Sequence, residues 1–301
     1  MIPTLWAAWH LIKDSVLEWN NDRASRKGAA LAFYTVFSLA PILIVAIAIA
    51  GLFFGEEAAR GEIYAQMSDL IGSQGAQAIQ AMIHNASRPG AGAFATLVGV
   101  VTLIVGATTA LAELKDGLDQ IWEVPPERTS GFWYFVRKRL LSIGLILSIG
   151  FLLLVSLVFS AIVAALAKRW GPNDSTGALL QGANFVCAFI LVTLLFAMIY
   201  KILPATRIAW RDVLIGSVVT AALFSIGKFA IGLYLGNSAI TSSYGAAGSV
   251  ILVLVWVYYS AQIFLLGAEF TKVYAHRYGS RRGLPTPHAS SAPHEPAARM
   301  K

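Results

Sequence analysis

The residues able to do chemistry are few and scattered. His10, His84, His276, His288 and His294 show no metal-ligand spacing such as HExxH, and none is placed to share a site with the single cysteine, Cys187. No aspartate pair falls inside an apolar stretch, which removes an aspartyl intramembrane protease. Ser249 lies in Gly245-Ala246-Ala247-Gly248-Ser249, without a nucleophile elbow or a histidine at the same depth. A P-loop and a dinucleotide fingerprint are also missing. No catalytic, cofactor-binding or metal site is expected, and the chain is expected not to be an enzyme.

What remains is polar matter among apolar residues. Lys228 is the only charged residue inside six long apolar stretches. At 1.5 Å per residue it stands roughly 22 Å from Val213 and about 12 Å from Gly236. A lysine at the centre of a bilayer costs about 2.5–3.5 kcal/mol, part of which it recovers by snorkelling. Two readings stay open: a cation facing a cavity for an anionic substrate group, or a side chain reaching the outer headgroups. Pro41 removes a helical hydrogen bond to the Phe37 carbonyl and predicts a kink, with Tyr34, Thr35 and Ser38 on the preceding turns. Such a helix can line a pathway or be purely structural. Gln262 needs a buried partner or a water. Lys228, Tyr34, Ser38, Pro41 and Gln262 are therefore the substrate or pathway candidates.

A second group reads as packing. Tyr244-Gly245-Ala246-Ala247-Gly248-Ser249 carries small residues that let helices approach closely. Glu269 closes the last stretch, with Lys272 at i+3 as its natural partner. Leu111, Leu114, Leu118, Ile121 and Trp122 form one apolar stripe on a helical extension that ends at Pro125-Pro126.

The elements that must position these residues follow from composition. Hydrophobic residues make up 57% of the 301 and charged ones 13%, about half the roughly 25% of a soluble domain. Continuous apolar runs of about 20 residues are helices that cross a bilayer, not barrel strands. They fall at 29–55, 93–112, 140–167, 179–200, 213–236 and 246–268. Lys and Arg number 18 on one set of alternate segments and 4 on the other, which places both termini in the cytoplasm. This bias also explains the pI of 9.6 through lipid headgroups, with no nucleic acid required.

The expected fold is an all-α integral membrane protein: six transmembrane helices, an N-terminal amphipathic helix and both ends cytoplasmic. The expected organisation is a cytoplasmic amphipathic segment at 1–28, a six-span domain at 29–270, and a basic, disordered cytoplasmic tail at 271–301. In the first segment, Leu5, Trp9, Ile12, Val16 and Trp19 recur at helical spacing. That stripe either lies on the membrane surface or packs against other cytoplasmic segments; the residues alone leave both open. The outer 56–92 loop is expected to form two short amphipathic helices broken near Gly72 to Gly75.

Ala30-Leu31-Ala32-Phe33-Tyr34-Thr35 through Ser38-Leu39-Ala40-Pro41 resembles the opening signature of the YihY/BrkB family of bacterial inner-membrane proteins. Gly117-Leu118-Asp119-Gln120-Ile121-Trp122 is similar to its loop motif, with Asp119 where the family carries Asn. Phe224, Lys228 and Tyr234, Tyr244 to Val250, and Gly267-Ala268-Glu269 resemble its closing stretch, with Ser225 where a Glu is frequent. The resemblance covers residues 10–280. It implies six spans and a multi-pass place in the inner membrane, with links to envelope integrity and lipid export. Relatives were once labelled as a tRNA-processing ribonuclease, and this chain lacks the clustered ligands that such an enzyme needs. The expected partners are membrane lipids, including an anionic lipid or envelope precursor, with no cofactor and no nucleic acid. The expected function is a transporter or flippase-like protein for an anionic or lipidic solute. The alternative is a non-transporting scaffold for envelope assembly.

Overall fold

The computed structural model describes residues 5–86, 109–125 except 111, 174–237 and 246–283. Among the described residues the regular structure is helical throughout, with no strand. The helices are α1 (Leu5–Asn21), α2 (Ala24–Phe54), α3 (Glu56–Ala86), α4 (Asp174–Ile202), α5 (Trp210–Asn237) and α6 (Ala246–Arg277). A shorter helical stretch covers 112–121. Most of the predicted stretch 93–112 and all of 140–167 lie outside the described residues, as do Tyr244, Gly245 and the tail from 284.

Among the described residues three helices are long and apolar enough to cross a membrane: Gly182–Ile202, Trp210–Ile231 and Val250–Arg277, with mean hydropathy 2.4, 1.9 and 2.1. Most of each stretch faces outward. Phe185, Val186 and Ile190 of α4 and Ile226 and Phe229 of α5 are more than half exposed. Contiguous apolar surface of that kind is what lipid, not water, covers. The last of these stretches, 28 residues, is roughly 42 Å long against a hydrocarbon core of about 30 Å. Its end must therefore stand outside, and Glu269, Lys272 and Arg277 all lie at that end.

Helix α6 is the hub, packing against α1, α2, α3 and α5, while α4 packs on α5. The α5–α6 crossing is close because glycine faces threonine twice. A Cβ on Gly216 would meet Thr271 Oγ1 at 1.8 Å, and one on Gly267 would meet Thr220 Oγ1 at 2.0 Å. Each threonine hydroxyl donates to its own helix, Thr220 to the Gly216 carbonyl and Thr271 to the Gly267 carbonyl, both at 2.7 Å. Close backbone approach through small residues with local hydroxyl bonds is how apolar helices associate without a hydrophobic drive between them.

Helix α2 runs from Ala24 to Phe54 without interruption at Pro41 and carries nearly all of the apolar stretch 29–55. One local expectation changes. Helix α3 is one continuous helix over Glu56–Ala86, not two helices broken near Gly72 to Gly75. It is not straight, however. Arg60, Ile63, Tyr64 and Met67 from its first half and Ala76, Ile79, Gln80 and Ile83 from its second line one small cleft of about 30 Å³ beside Ile47. In a straight rod Arg60 and Ile83 would be roughly 34 Å apart. The helix therefore curls between Met67 and Ala76, where the glycines lie.

Helix α1 turns its polar side inward. Leu11, Ser15 and, in the corner after it, Asp22 are buried, while Trp9, Ile12 and Val16 of the predicted stripe are exposed, joined by Trp6 and Leu17. Arg23 makes the corner into α2 with a left-handed φ of 51°.

Candidate functional site

Two regions gather the polar residues. The first is the seam between α4, α5 and α6. Tyr200 is buried, and its hydroxyl donates to the Phe264 carbonyl at 2.6 Å and lies 3.2 Å from Thr220 Oγ1. Phe196 stacks on its ring at 6.3 Å and Phe264 is tilted against it at 5.0 Å, while Phe224 meets Phe196 edge-on. Lys228 lies further along α5, half-buried, between the exposed Ile226 and Phe229 and the buried Gly227 and Ile231. A Cβ on Gly227 would meet the Tyr259 hydroxyl at 2.3 Å, so the helices touch beside the lysine. Ser225 donates to the Ala221 carbonyl at 2.8 Å, within its own helix.

The second region lies where α1, the start of α2, residues 112–125 and the end of α6 meet. Lys272, 5% exposed, reaches Glu123 at 2.7 Å and Glu18 at 3.7 Å. Glu269 is 0% exposed, and neither of its oxygens meets a hydrogen-bond donor. The expected i+3 pair is thus corrected: Lys272 bonds to a glutamate 149 residues away, and Glu269 is left inside. Asp22 Oδ2 and Lys27 Nζ are also buried without a hydrogen-bond partner. Burial pushes Lys27 below the ordinary lysine range, against the pull of Asp22, Glu269, Asp116 and Glu113. At the rim, Arg277 pairs with Asp14 at 2.7 Å.

The candidates named from the sequence do not form one site. Gln262 donates to the Ser25 carbonyl at 3.3 Å and presses on Gly28, so it joins α6 to α2. It shares a helical face with Glu269, seven residues on, whereas Gly267 and Thr271 face α5. Lys228 is on the α5 side, and Gln262 on the α2 side. Tyr34 is half-buried, with Phe33 edge-on at 5.6 Å. Ser38 and Pro41 lie within α2, and Gly248 and Ser249 in the first turn of α6. Trp122 is buried under the Arg281 guanidinium, 4.9 Å from its ring. Asp119 accepts the Ala205 N–H at 2.7 Å and also pairs with Lys115. An asparagine there would keep the first contact, and the extra charge has its own lysine.

Sequence reasoning missed the second region. Its signal was present: Asp14, Glu18 and Asp22 recur every fourth residue, an acidic stripe on one face of α1.

A family model described as "Virulence factor BrkB" matches residues 15–292, a stretch that takes in both regions. The chain belongs to the BrkB family. Similar proteins include a UPF0761 membrane protein of Alkalilimnicola ehrlichii, 28% identical over 85% of this chain and 56% of that one. One from Pseudoalteromonas atlantica is 29% identical over 81% and 78%, and one from Cronobacter sakazakii 28% identical over 84% of each. The chain thus spans little more than half the length of the first of these BrkB-like relatives. No solved structure matches it.

Proposed function

We propose that this BrkB-family chain crosses the bacterial inner membrane six times, keeps both termini in the cytoplasm, and moves an anionic or lipidic solute needed for envelope integrity. Lys228 carries the reading. It is a cation on a helix long and apolar enough to cross a membrane, half-buried beside a close helix contact. An ionisable side chain at that depth is kept for a partner or a pathway. No catalytic chemistry is assigned to it.

The test uses the full chain in liposomes with a fluorescent anionic lipid in one leaflet. Wild type should exchange the label between leaflets. Lys228→Met should insert normally and lose exchange; Lys228→Glu should lose it too, by repelling the headgroup. Equal exchange in all three would sink the anion site. A wild type that moves neither labelled lipid nor soluble anions would instead support the scaffold alternative.

A further inference from the structure

Among the described residues, the junction of α1, α2, residues 112–125 and α6 holds more carboxyl groups than cations to neutralise them. Glu18 and Asp22 face inward from α1 and the corner after it, Glu123 from 112–125, and Glu269 from α6; against them stand Lys27 of α2 and Lys272 of α6. Glu113 and Asp116 add further negative charge near Lys27. Lys272 is engaged by Glu123 and Glu18. Glu269, wholly buried, and Asp22, 7% exposed, are left with oxygens that no donor meets. They are also close to each other, and both act on Lys27.

Two carboxyl groups buried together without donors are not both ionised, because the interior cannot solvate them and each repels the other. Something must bind. Among the described residues no three His, Cys, Asp or Glu side chains are arranged to hold a metal ion. The species that fits between two carboxyl oxygens with no further ligands is a proton. We propose that Glu269 and Asp22 form a proton-binding site, in which the Glu269 acid donates its O–H to the Asp22 carboxylate. On release, the O–H bond breaks and the proton passes to water, and the new charge is met by Lys27 and Lys272. Coupling that proton to solute movement rests on the transport reading; the proton site itself does not.

Infrared difference spectroscopy of the purified full chain, stepped in pH, tests this directly. Wild type should show the carbonyl stretch of a protonated carboxylic acid at neutral pH, shifted in D2O and lost as the pH is raised. Glu269→Gln, isosteric with the acid, should lose the whole band while keeping the fold. Asp22→Asn should retain a band and move its titration, because the neighbouring charge is gone. The assignment is overturned if wild type shows no such band, if the band survives unchanged in both variants, or if it vanishes when sodium replaces potassium at fixed pH. That last outcome would make the site one for sodium. A wild type that shows the band but moves no lipid would fail the transport reading alone.

Discussion

Lys272 and Arg277 are five residues apart on one helix, and each ends on an acid of α1, yet they differ in worth. The Arg277–Asp14 pair has side chains 41% and 39% exposed, so Arg277→Ala should lower stability by only roughly 0–1 kcal/mol. Lys272→Ala removes a nearly buried cation from Glu123, 15% exposed, and Glu18, 31% exposed, and should cost more, roughly 1.5–3 kcal/mol. Thermal melts of the two variants in one detergent check the ordering; equal shifts would contradict it. At the α5–α6 crossing, Gly267→Ala drives a methyl into Thr220 and should cost about 1–3 kcal/mol. Thr220→Ala should relieve part of that, giving a coupled double-mutant cycle. Sequence spacing sees partners within a helix, which is why it offered Glu269 to Lys272. It has no view of Glu123, whose position depends on the fold of everything between.

Among the elements, α1 shows where periodicity is informative and where it stops. The pattern at Trp9, Ile12 and Val16 defined an apolar face, but not what that face meets. The structure spends the acidic face on the bundle and leaves the apolar one outside. Tryptophans on an outward stripe beside basic residues suit a helix lying in the headgroup layer. With Cys187→Ser as background, a fluorophore on Ile12→Cys should be quenched by lipids carrying a spin label near the headgroup, and poorly by aqueous iodide. The reverse ranking would take α1 out of the membrane. For α3, the glycines at 72 and 75 marked the place where direction changes, but not that the helix continues through it. Whether a glycine breaks a helix or only lets it curl depends on the surfaces at either side, here the shared contact with Ile47.

For the whole molecule, the apolar stretches carry the most readable information, because crossing a bilayer requires length and little else. Three of them stand as membrane-length helices, while 93–112 and 140–167 fall mainly outside the described residues. The charge bias reports orientation but says nothing of which helix touches which, so the central place of α6 had no signal. Topology is testable by impermeant maleimide on intact cells, again in Cys187→Ser. Ala239→Cys should label from outside, and Ala289→Cys only after the membrane is permeabilised. Labelling of Ala289→Cys in sealed cells would reverse the map.

The charged junction also has a history in time. Glu18, Asp22 and Glu123 are made early and Lys272 late: 149 residues separate Glu123 from Lys272, and 263 separate Asp14 from Arg277. At about 5–20 residues per second, Lys272 follows Glu123 by on the order of ten seconds. Until then Glu18 and Glu123 lack Lys272, and α1 lacks α6, its main packing partner. The junction can form only when α6, the hub of the bundle, is in place, so its closure marks the completed protein. A chain stopped after Ala268 should therefore leave α1 open to protease at Arg23 and Arg26, whereas one stopped after Gly283 should protect both. Unfinished chains would be recognisable to the cell's proteases by a loose first helix.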